Sequence, residues 1–289
     1  MSAAGVHHER VESRGGVGLH VVRAGEGPLV VLLHGFPEHW ISWRRQIDAL
    51  VAAGFSVAAP DLRGYNLSDR PRSRDAYQLR FLVEDVAAVV RAAGHARAHV
   101  VGHDWGGIIA WTFAGTCPTL LDKLVIMNAP HMRLYLETAR RPPQLFRTWY
   151  ILFFHLPAVP ERLLSAGDFT AIRRMFRELP ARRGAFSEQD IEAYVAALRP
   201  PGALTAALDY YRALRTPGGI ALARAACTDA ETLVIWGEQD PALGLGLLRG
   251  LDRVAPRTRV HRLPGVSHWV QAEAPDEVNS VLVAFLRGN

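Results

Sequence analysis

Lysine, cysteine and long apolar runs are what this chain has least of. Lys123 is the single lysine beside 32 arginines, and Cys117 and Cys227 are the only cysteines in 289 residues. Two such distant thiols offer neither a disulfide framework nor metal-ligand spacing, and they fit reduced cysteines in a cytoplasmic protein. No apolar stretch approaches the ~20 residues of a membrane span. The start, Met1 to Arg10, lacks the basic-then-apolar pattern of a leader. The net charge is +5, yet the excess is local: residues 131–225 hold 14 arginines against 8 acids, and the remainder 19 basic and 20 acidic residues. Without interleaved aromatics or a nucleic-acid motif, no nucleic-acid partner is expected. A solvated arginine-rich face is one reading of the excess, and attraction of anionic partners is the other.

What the chain does have is size, 49% hydrophobic residues and a recurring rhythm. That is enough for a full core with one insertion. Gly18–Val22 and Leu29–Leu33 read as a strand pair. Further short runs follow at Ser56–Ala59, Ala98–Val101, Leu124–Met127, Leu233–Trp236 and Val260–Leu263. The runs at 29–33, 98–101, 124–127 and 233–236 are nearly all apolar, as strands covered on both faces must be. Helical patterns fit Trp43–Ala53, Leu79–Ala93, Gly106–Ala114 and Pro275–Leu286. This alternation predicts an α/β fold with a mostly parallel, doubly wound sheet. The rhythm breaks once, between 127 and 233. There a capping box, Ser187-Glu188-Gln189-Asp190, opens one helix and 203–214 reads as another. Residues 131–225 are therefore expected to be a helical lid on a core of 1–130 and 226–289.

The most informative segment is Gly102-His103-Asp104-Trp105-Gly106-Gly107, behind the apolar run 98–101. A strand, a small-x-nucleophile-x-small turn and an apolar helix make a nucleophile elbow. Serine is the usual occupant, and here the position is Asp104. A carboxylate that attacks saturated carbon leaves an ester, which water can cleave, whereas serine would leave an inert ether. The elbow therefore points to epoxides or alkyl halides. By itself an Asp at a helix start is more often a cap. In elbow hydrolases, however, nucleophile, acid and histidine follow in that chain order. Asp240 after the run at 233–236 and His268 after that at 260–263 complete the series. After the run at 29–33 comes His34-Gly35-Phe36-Pro37, where a backbone N–H could join that of Trp105 in an oxyanion hole.

At these residues the chain resembles the α/β-hydrolase-fold epoxide hydrolases, over nearly its whole length. The resemblance rests on His34-Gly35-Phe36-Pro37-Glu38, Trp40, Trp43-Arg44, Pro60-Asp61-Leu62-Arg63-Gly64-Tyr65, the elbow and the two later loops. It implies two lid tyrosines that hold and protonate the epoxide oxygen. The first is Tyr150, in a segment where this chain has His155 in place of the usual Gln. The second is Tyr211, which shares a helix face with Leu204 and Leu208, while Tyr210 points elsewhere. The resemblance further implies that Asp104 forms a hydroxyalkyl ester and that His268, oriented by Asp240, activates water. The N–H groups of Phe36 and Trp105 would hold the oxyanion. His34, Glu38 and His103 would stand behind this machinery, the last two along the water path. Trp105, Phe36, Phe153 and Phe154 would contact substrate, with Met175 and Phe176 as further lining. A small epoxide and water are the implied partners, with no cofactor and no metal, while monomer and homodimer stay open. Haloalkane and haloacetate dehalogenases share many of these motifs, but Phe36 stands where the former place an Asn, and Trp105 where the latter place an Arg. A receptor that keeps the triad without turnover is the third reading.

Overall fold

A computed structural model of the protein describes residues 5–139, 141–142 and 144–288. Eight strands form one sheet: β1 His7–Ser13, β2 Val17–Ala24, β3 Leu29–Leu33, β4 Ser56–Pro60, β5 Ala98–His103, β6 Leu121–Met127, β7 Glu231–Gly237 and β8 Thr258–Leu263. Their order is β1-β2-β4-β3-β5-β6-β7-β8. From β4 onward every neighbouring pair is parallel, while β1–β2 and β2–β4 are antiparallel. The apolar runs behave as buried strands because successive side chains enter opposite layers. Val31, Leu33, Val100, Leu124 and Ile126 join one core, while Val30, Leu32, Val101, Val125 and Met127 join the other.

The helices that cover these faces follow their apolar patterns. They are α1 Arg44–Ala52, α2 Leu79–Ala92 and α3 Trp105–Thr116; two more, closing the chain, appear below. α3 is apolar almost all round and is buried almost all round, including Trp105, Ile109, Trp111 and Phe113. Between β6 and β7 the described residues form helices and no strand. These are α4 Met132–Thr138, α5 Gln144–Arg147, α6 Trp149–Phe154, α7 Val159–Glu178, α8 Glu188–Leu198, α9 Ala203–Leu214 and α10 Pro217–Ala225. The capping box is present at the start of α8, where Ser187 Oγ accepts from the Asp190 N–H at 3.1 Å and Asp190 accepts from the Ser187 N–H at 2.9 Å. After β8 come α11 Val270–Glu273 and α12 Pro275–Arg287, whose Val278, Leu282, Phe285 and Leu286 form one buried stripe.

One expectation fails. Gly18–Val22 and Leu29–Leu33 do not pair; β4 lies between them, with Val22 opposite Ala59 and Val30 opposite Val57. The short link at 25–28 looks like a hairpin turn but instead crosses the start of β4. Gly25 and Gly27 have φ of +70° and +110°, and a Cβ on either would meet the carbonyl of Phe55 at 2.4 Å or of Gly54 at 2.2 Å. Only glycine permits that crossing. The edge strand β1 also carried no recognised sequence signal, being exposed along most of its outer length.

Candidate active site

The parallel register brings the carboxyl ends of β3, β5, β6, β7 and β8 to one edge, where sheets of this kind bind ligands. Leu33 pairs with Gly102, His103 with Met127, Met127 with Ile235 and Gly237 with Leu263. Asp104 follows β5 directly with φ +50° and ψ −118°, a conformation that costs a non-glycine residue about 1–3 kcal/mol. Close packing enforces it. A Cβ on Gly102 would lie 2.3 Å from the Gly106 carbonyl oxygen, and one on Gly106 would lie 2.0 Å from that of Leu33. The turn is thus clamped between β3 and α3, and the carboxylate is presented at the sheet edge. The loop after β3 closes over it, where the Phe36 N–H donates to Asp104 Oδ1 at 2.8 Å. Trp105 opens α3, so its N–H is among those a helix start leaves without an intrahelical partner.

His268 bridges two carboxylates. Its Nδ1–H donates to Asp240 Oδ2 at 2.7 Å, and its Nε2 lies 3.7 Å from Asp104 Oδ2. Burial by itself would lower this imidazole, but the charge and hydrogen bond of Asp240, with Asp104 beyond, raise it to about 9. Asp240 is fully enclosed, which would raise its carboxyl; the His268 charge, hydrogen bonds from His268 and Asn128, and a Leu243 N–H bring it below the ordinary value instead. Asn128 Nδ2 donates to Asp240 Oδ2 at 2.7 Å, and the N–H groups of Ala242 and Leu243 donate to Oδ1 at 2.8 Å each. The histidine loop is held as firmly, because Glu273 accepts from the Ser267 N–H, the Ser267 hydroxyl and the Arg182 N–H.

Opposite Asp104, α6 and α9 bring two phenols to the same space. Asp104, Trp105, Tyr150 and Tyr211 share the wall of a cavity of about 140 Å³ with Ile108, Met132, Tyr135, Ile151 and Leu214. The two phenol rings stand 6.2 Å apart, centre to centre. Burial, with the Asp104 charge next, pushes both phenols well above their ordinary value, so both remain O–H donors. Tyr210 points away, as its helix position requires, and donates to the Arg63 carbonyl at 2.7 Å. His155 donates from Nδ1 to the Ile151 carbonyl at 2.7 Å and so closes the end of its own helix.

The lining differs from expectation. Trp105 is in the cavity wall, but Phe36, Phe153, Phe154, Met175 and Phe176 are not. Phe36 and Phe154 instead pack on the Tyr211 ring, with centroids at 5.7 and 4.9 Å. Phe153 leans on Trp149 and Phe154. Phe176 is buried against Tyr194, Phe186 and Trp269, and Met175 packs at the edge of the same core. A run of aromatics near Tyr150 indicates an apolar neighbourhood; which rings face inward depends on helix rotation and on the break in α7 at Ala166–Phe169.

Residues 28–275 match the family described as alpha/beta hydrolase fold. The AB hydrolase superfamily protein YfhM of Bacillus subtilis is 39% identical over 94% of this chain and 95% of its own. Epoxide hydrolase 3 of Xenopus tropicalis is 37% identical over 99% of this chain and 79% of its own. Among solved structures, a mutant of an epoxide hydrolase from Bacillus megaterium superposes with a TM-score of 0.88 at 32% identity, covering 96% of this chain and 100% of that one. The chain belongs to the epoxide hydrolases of the α/β hydrolase fold.

In this epoxide hydrolase family member, a second layer of buried polar groups lies beneath Asp104, Asp240 and His268. His103 donates from Nε2 to the His268 carbonyl at 3.0 Å, and its Nδ1 lies 3.0 Å from Glu38 Oε2 and 3.2 Å from Gln271 Nε2. His34 accepts from the Leu62 N–H at Nε2 and donates from Nδ1 to the Gly35 carbonyl, at 2.9 Å each. Burial lowers its imidazole to about 4, leaving it a neutral brace for the loop that carries Phe36. Several contributors escaped sequence reasoning. Gln144 donates to the Ala242 carbonyl at 2.8 Å and accepts from the Gly244 N–H at 3.0 Å, tying α5 to the Asp240 loop. Asn128 had a usable signal, since it directly follows a buried strand at the ligand-binding edge. Gln144, Gln271 and Glu273 had none: the partners of Gln144 and Gln271 lie about a hundred residues away or further, and Glu273 sits in a short, ordinary-looking helix beside the loop it holds.

Proposed function

We propose that this chain hydrolyses an epoxide to a vicinal diol through a covalent ester on Asp104. The observation that carries this reading is the cavity that Asp104 shares with two phenols, Tyr150 and Tyr211. A carboxylate facing two O–H donors across a small apolar space suits a ring whose carbon must be attacked while its oxygen gathers charge. The helical insertion 131–225 acts as the lid that supplies those donors to the core of 1–130 and 226–289. The free thiols of Cys117 and Cys227 fit a cytoplasmic setting.

In the first step an Asp104 oxygen attacks a ring carbon, the carbon–oxygen bond breaks, and Tyr150 and Tyr211 donate to the emerging alkoxide. The hydroxyl that results keeps one proton, and the net source of that proton is the His268 imidazolium. Ester formation removes the Asp104 charge, one of the influences that raises His268. Having given up its proton to the hydroxyl, the imidazole can then act as a base on water. In the second step His268 takes a proton from water, which adds to the ester carbonyl. The Phe36 and Trp105 N–H groups hold the oxyanion, a contribution of about 3 kcal/mol per donor. Collapse expels the diol, restores the Asp104 carboxylate and leaves His268 protonated as at the start. Asp240 keeps the ring oriented and balances its charge. Glu38 and His103, hydrogen-bonded to each other beneath the ring, are the groups this reading assigns to the path of the water.

Purified protein assayed against small aryl and alkyl epoxides, with haloalkanes and fluoroacetate in parallel, tests the reading. Many turnovers of diol are expected. Halide release without diol would point to the dehalogenase chemistry that the Asp nucleophile also allows, and one stoichiometric binding event without product to a receptor.

A further inference from the structure

The arginine excess of the insertion has no task in this chemistry, and it accompanies an unusual surface. Of the twelve large apolar side chains that stand exposed among the described residues, eight lie between Leu136 and Leu163. Phe146, Trp149, Leu152 and Leu156 recur every three or four residues along α5, α6 and the turn beyond, so they occupy one face. Their exposures are 71%, 64%, 67% and 46%. Val159 and Leu163 extend the stripe along the first turns of α7. Exposed apolar groups scattered singly need no explanation, but a continuous stripe of this size marks a contact surface.

The excess charge around the stripe is positive. Arg141 and Arg162 lie along it, and Arg147 and Arg249 share with Arg141 the cleft beside α5. The nearby acids are already committed: Glu137 pairs with Arg253, Glu161 with Arg212 and Glu238 with Arg262. Elsewhere in the insertion the acids pair with other arginines, as Asp168 does with Arg173 and Arg199, and Glu188 with Arg177. Uncompensated positive charge therefore gathers at the stripe. A second copy docking through the same face would set these cations against their own equivalents, whereas an anionic lipid surface offers both the charge and the apolar bed.

We propose that this face, from Leu145 to Leu163, docks on an anionic lipid surface. Its position gives docking a purpose. α6 presents Tyr150 and Ile151 to the cavity and Trp149 and Leu152 to the outside, and Leu136 belongs to both the cavity wall and the exposed set. An apolar epoxide dissolved in the bilayer would pass from lipid to cavity along one continuous apolar path. Only this delivery rests on the reaction proposed above; the docking does not.

The test is co-sedimentation of the full chain with vesicles of phosphatidylcholine containing 30% phosphatidylglycerol, with pure phosphatidylcholine vesicles in parallel, in low and high salt. Binding to the anionic vesicles, weak binding to the neutral ones and release by salt are expected. Phe146→Ser with Leu152→Ser should abolish it, and Arg141→Gln with Arg162→Gln should weaken it about thirtyfold. Arg141 and Arg162 are both exposed, so the pair remains a valid test should the first pair fail to fold. Equal binding to both vesicle types would overturn the proposal. So would no binding to the anionic vesicles; a dimer by light scattering would in that case assign the stripe to a subunit interface.

Discussion

Removing the hydroxyl of Tyr150 or Tyr211 separates epoxide opening from every other reaction open to an Asp nucleophile. Both phenols face the space in front of Asp104, and burial keeps both protonated. Tyr150→Phe or Tyr211→Phe deletes one O–H donor and leaves the ring packing in place. Each donor acts on charge that develops only as the ring opens, so its loss raises the barrier to the first step by about 1.5–4 kcal/mol, or roughly 10–1000-fold in rate. The double variant should be nearly inactive. Rapid-quench measurement of ester formation is the right assay, because steady-state rates fold in the second step, which the phenols leave untouched. Tyr210→Phe is the control for rate but not for stability. Its hydroxyl is buried on the Arg63 carbonyl, so its loss should cost about 1–3 kcal/mol of folding stability without slowing ester formation. A double variant that forms ester at the wild-type rate would refute the role of the lid phenols.

Three other outcomes follow from the geometry. Asn128→Ala removes a donor from the buried Asp240 carboxylate, so kcat should fall by roughly 10–100-fold with KM little changed, at about 1.5–3 kcal/mol for a bond to a charged group; steady-state kinetics checks it. His268 is raised in the folded protein to about 9 from an ordinary 6.5, so its contribution is fully present below about pH 6.5 and is lost as pH rises through about 9. Denaturation midpoints should therefore fall across that window, by up to about 3 kcal/mol in stability, and Asp240→Asn should flatten the fall. Gly106→Ala places a Cβ 2.0 Å from the Leu33 carbonyl oxygen, so the variant should be insoluble or strongly destabilised in thermal melts; Gly218→Ala, with open space around its Cβ, should not.

The parts of this molecule legible in its sequence are those governed by local rules. Buried parallel strands announce themselves as apolar runs; Asp104 and Asp240 follow such runs and His268 follows the half-exposed edge strand β8, so chain order sufficed to place them at one edge. The capping box at Ser187 and the choice of Tyr211 over Tyr210 were likewise fixed by spacing along a helix. What stayed hidden depends on contacts between distant segments. The passage of 25–28 beneath β4 needs Gly54 and Phe55 as partners, so the two flanking strands looked like a hairpin. Phe36 and Phe154 are apolar and near Asp104, yet they pack on Tyr211 instead of lining the cavity, a distinction set by the loop after β3 for Phe36 and by helix rotation for Phe154. Gln144, Gln271 and Glu273 carry no pattern that marks them, because their meaning lies in the loops they hold.

The covalent ester on Asp104 is tested most directly by His268→Gln. Attack on the ring carbon needs Asp104 and the two phenols, with solvent replacing the proton that His268 supplies in the wild type, whereas cleaving the ester needs the imidazole that faces Asp104 at 3.7 Å. The variant, mixed with a confirmed epoxide substrate and examined by intact-protein mass spectrometry, should gain the mass of one epoxide. Digestion should place that mass on the peptide containing Asp104, and Asp104→Asn should gain nothing. A folded His268→Gln protein that loses turnover and remains unmodified would contradict the account, because His268 would then be directing water at the ring itself.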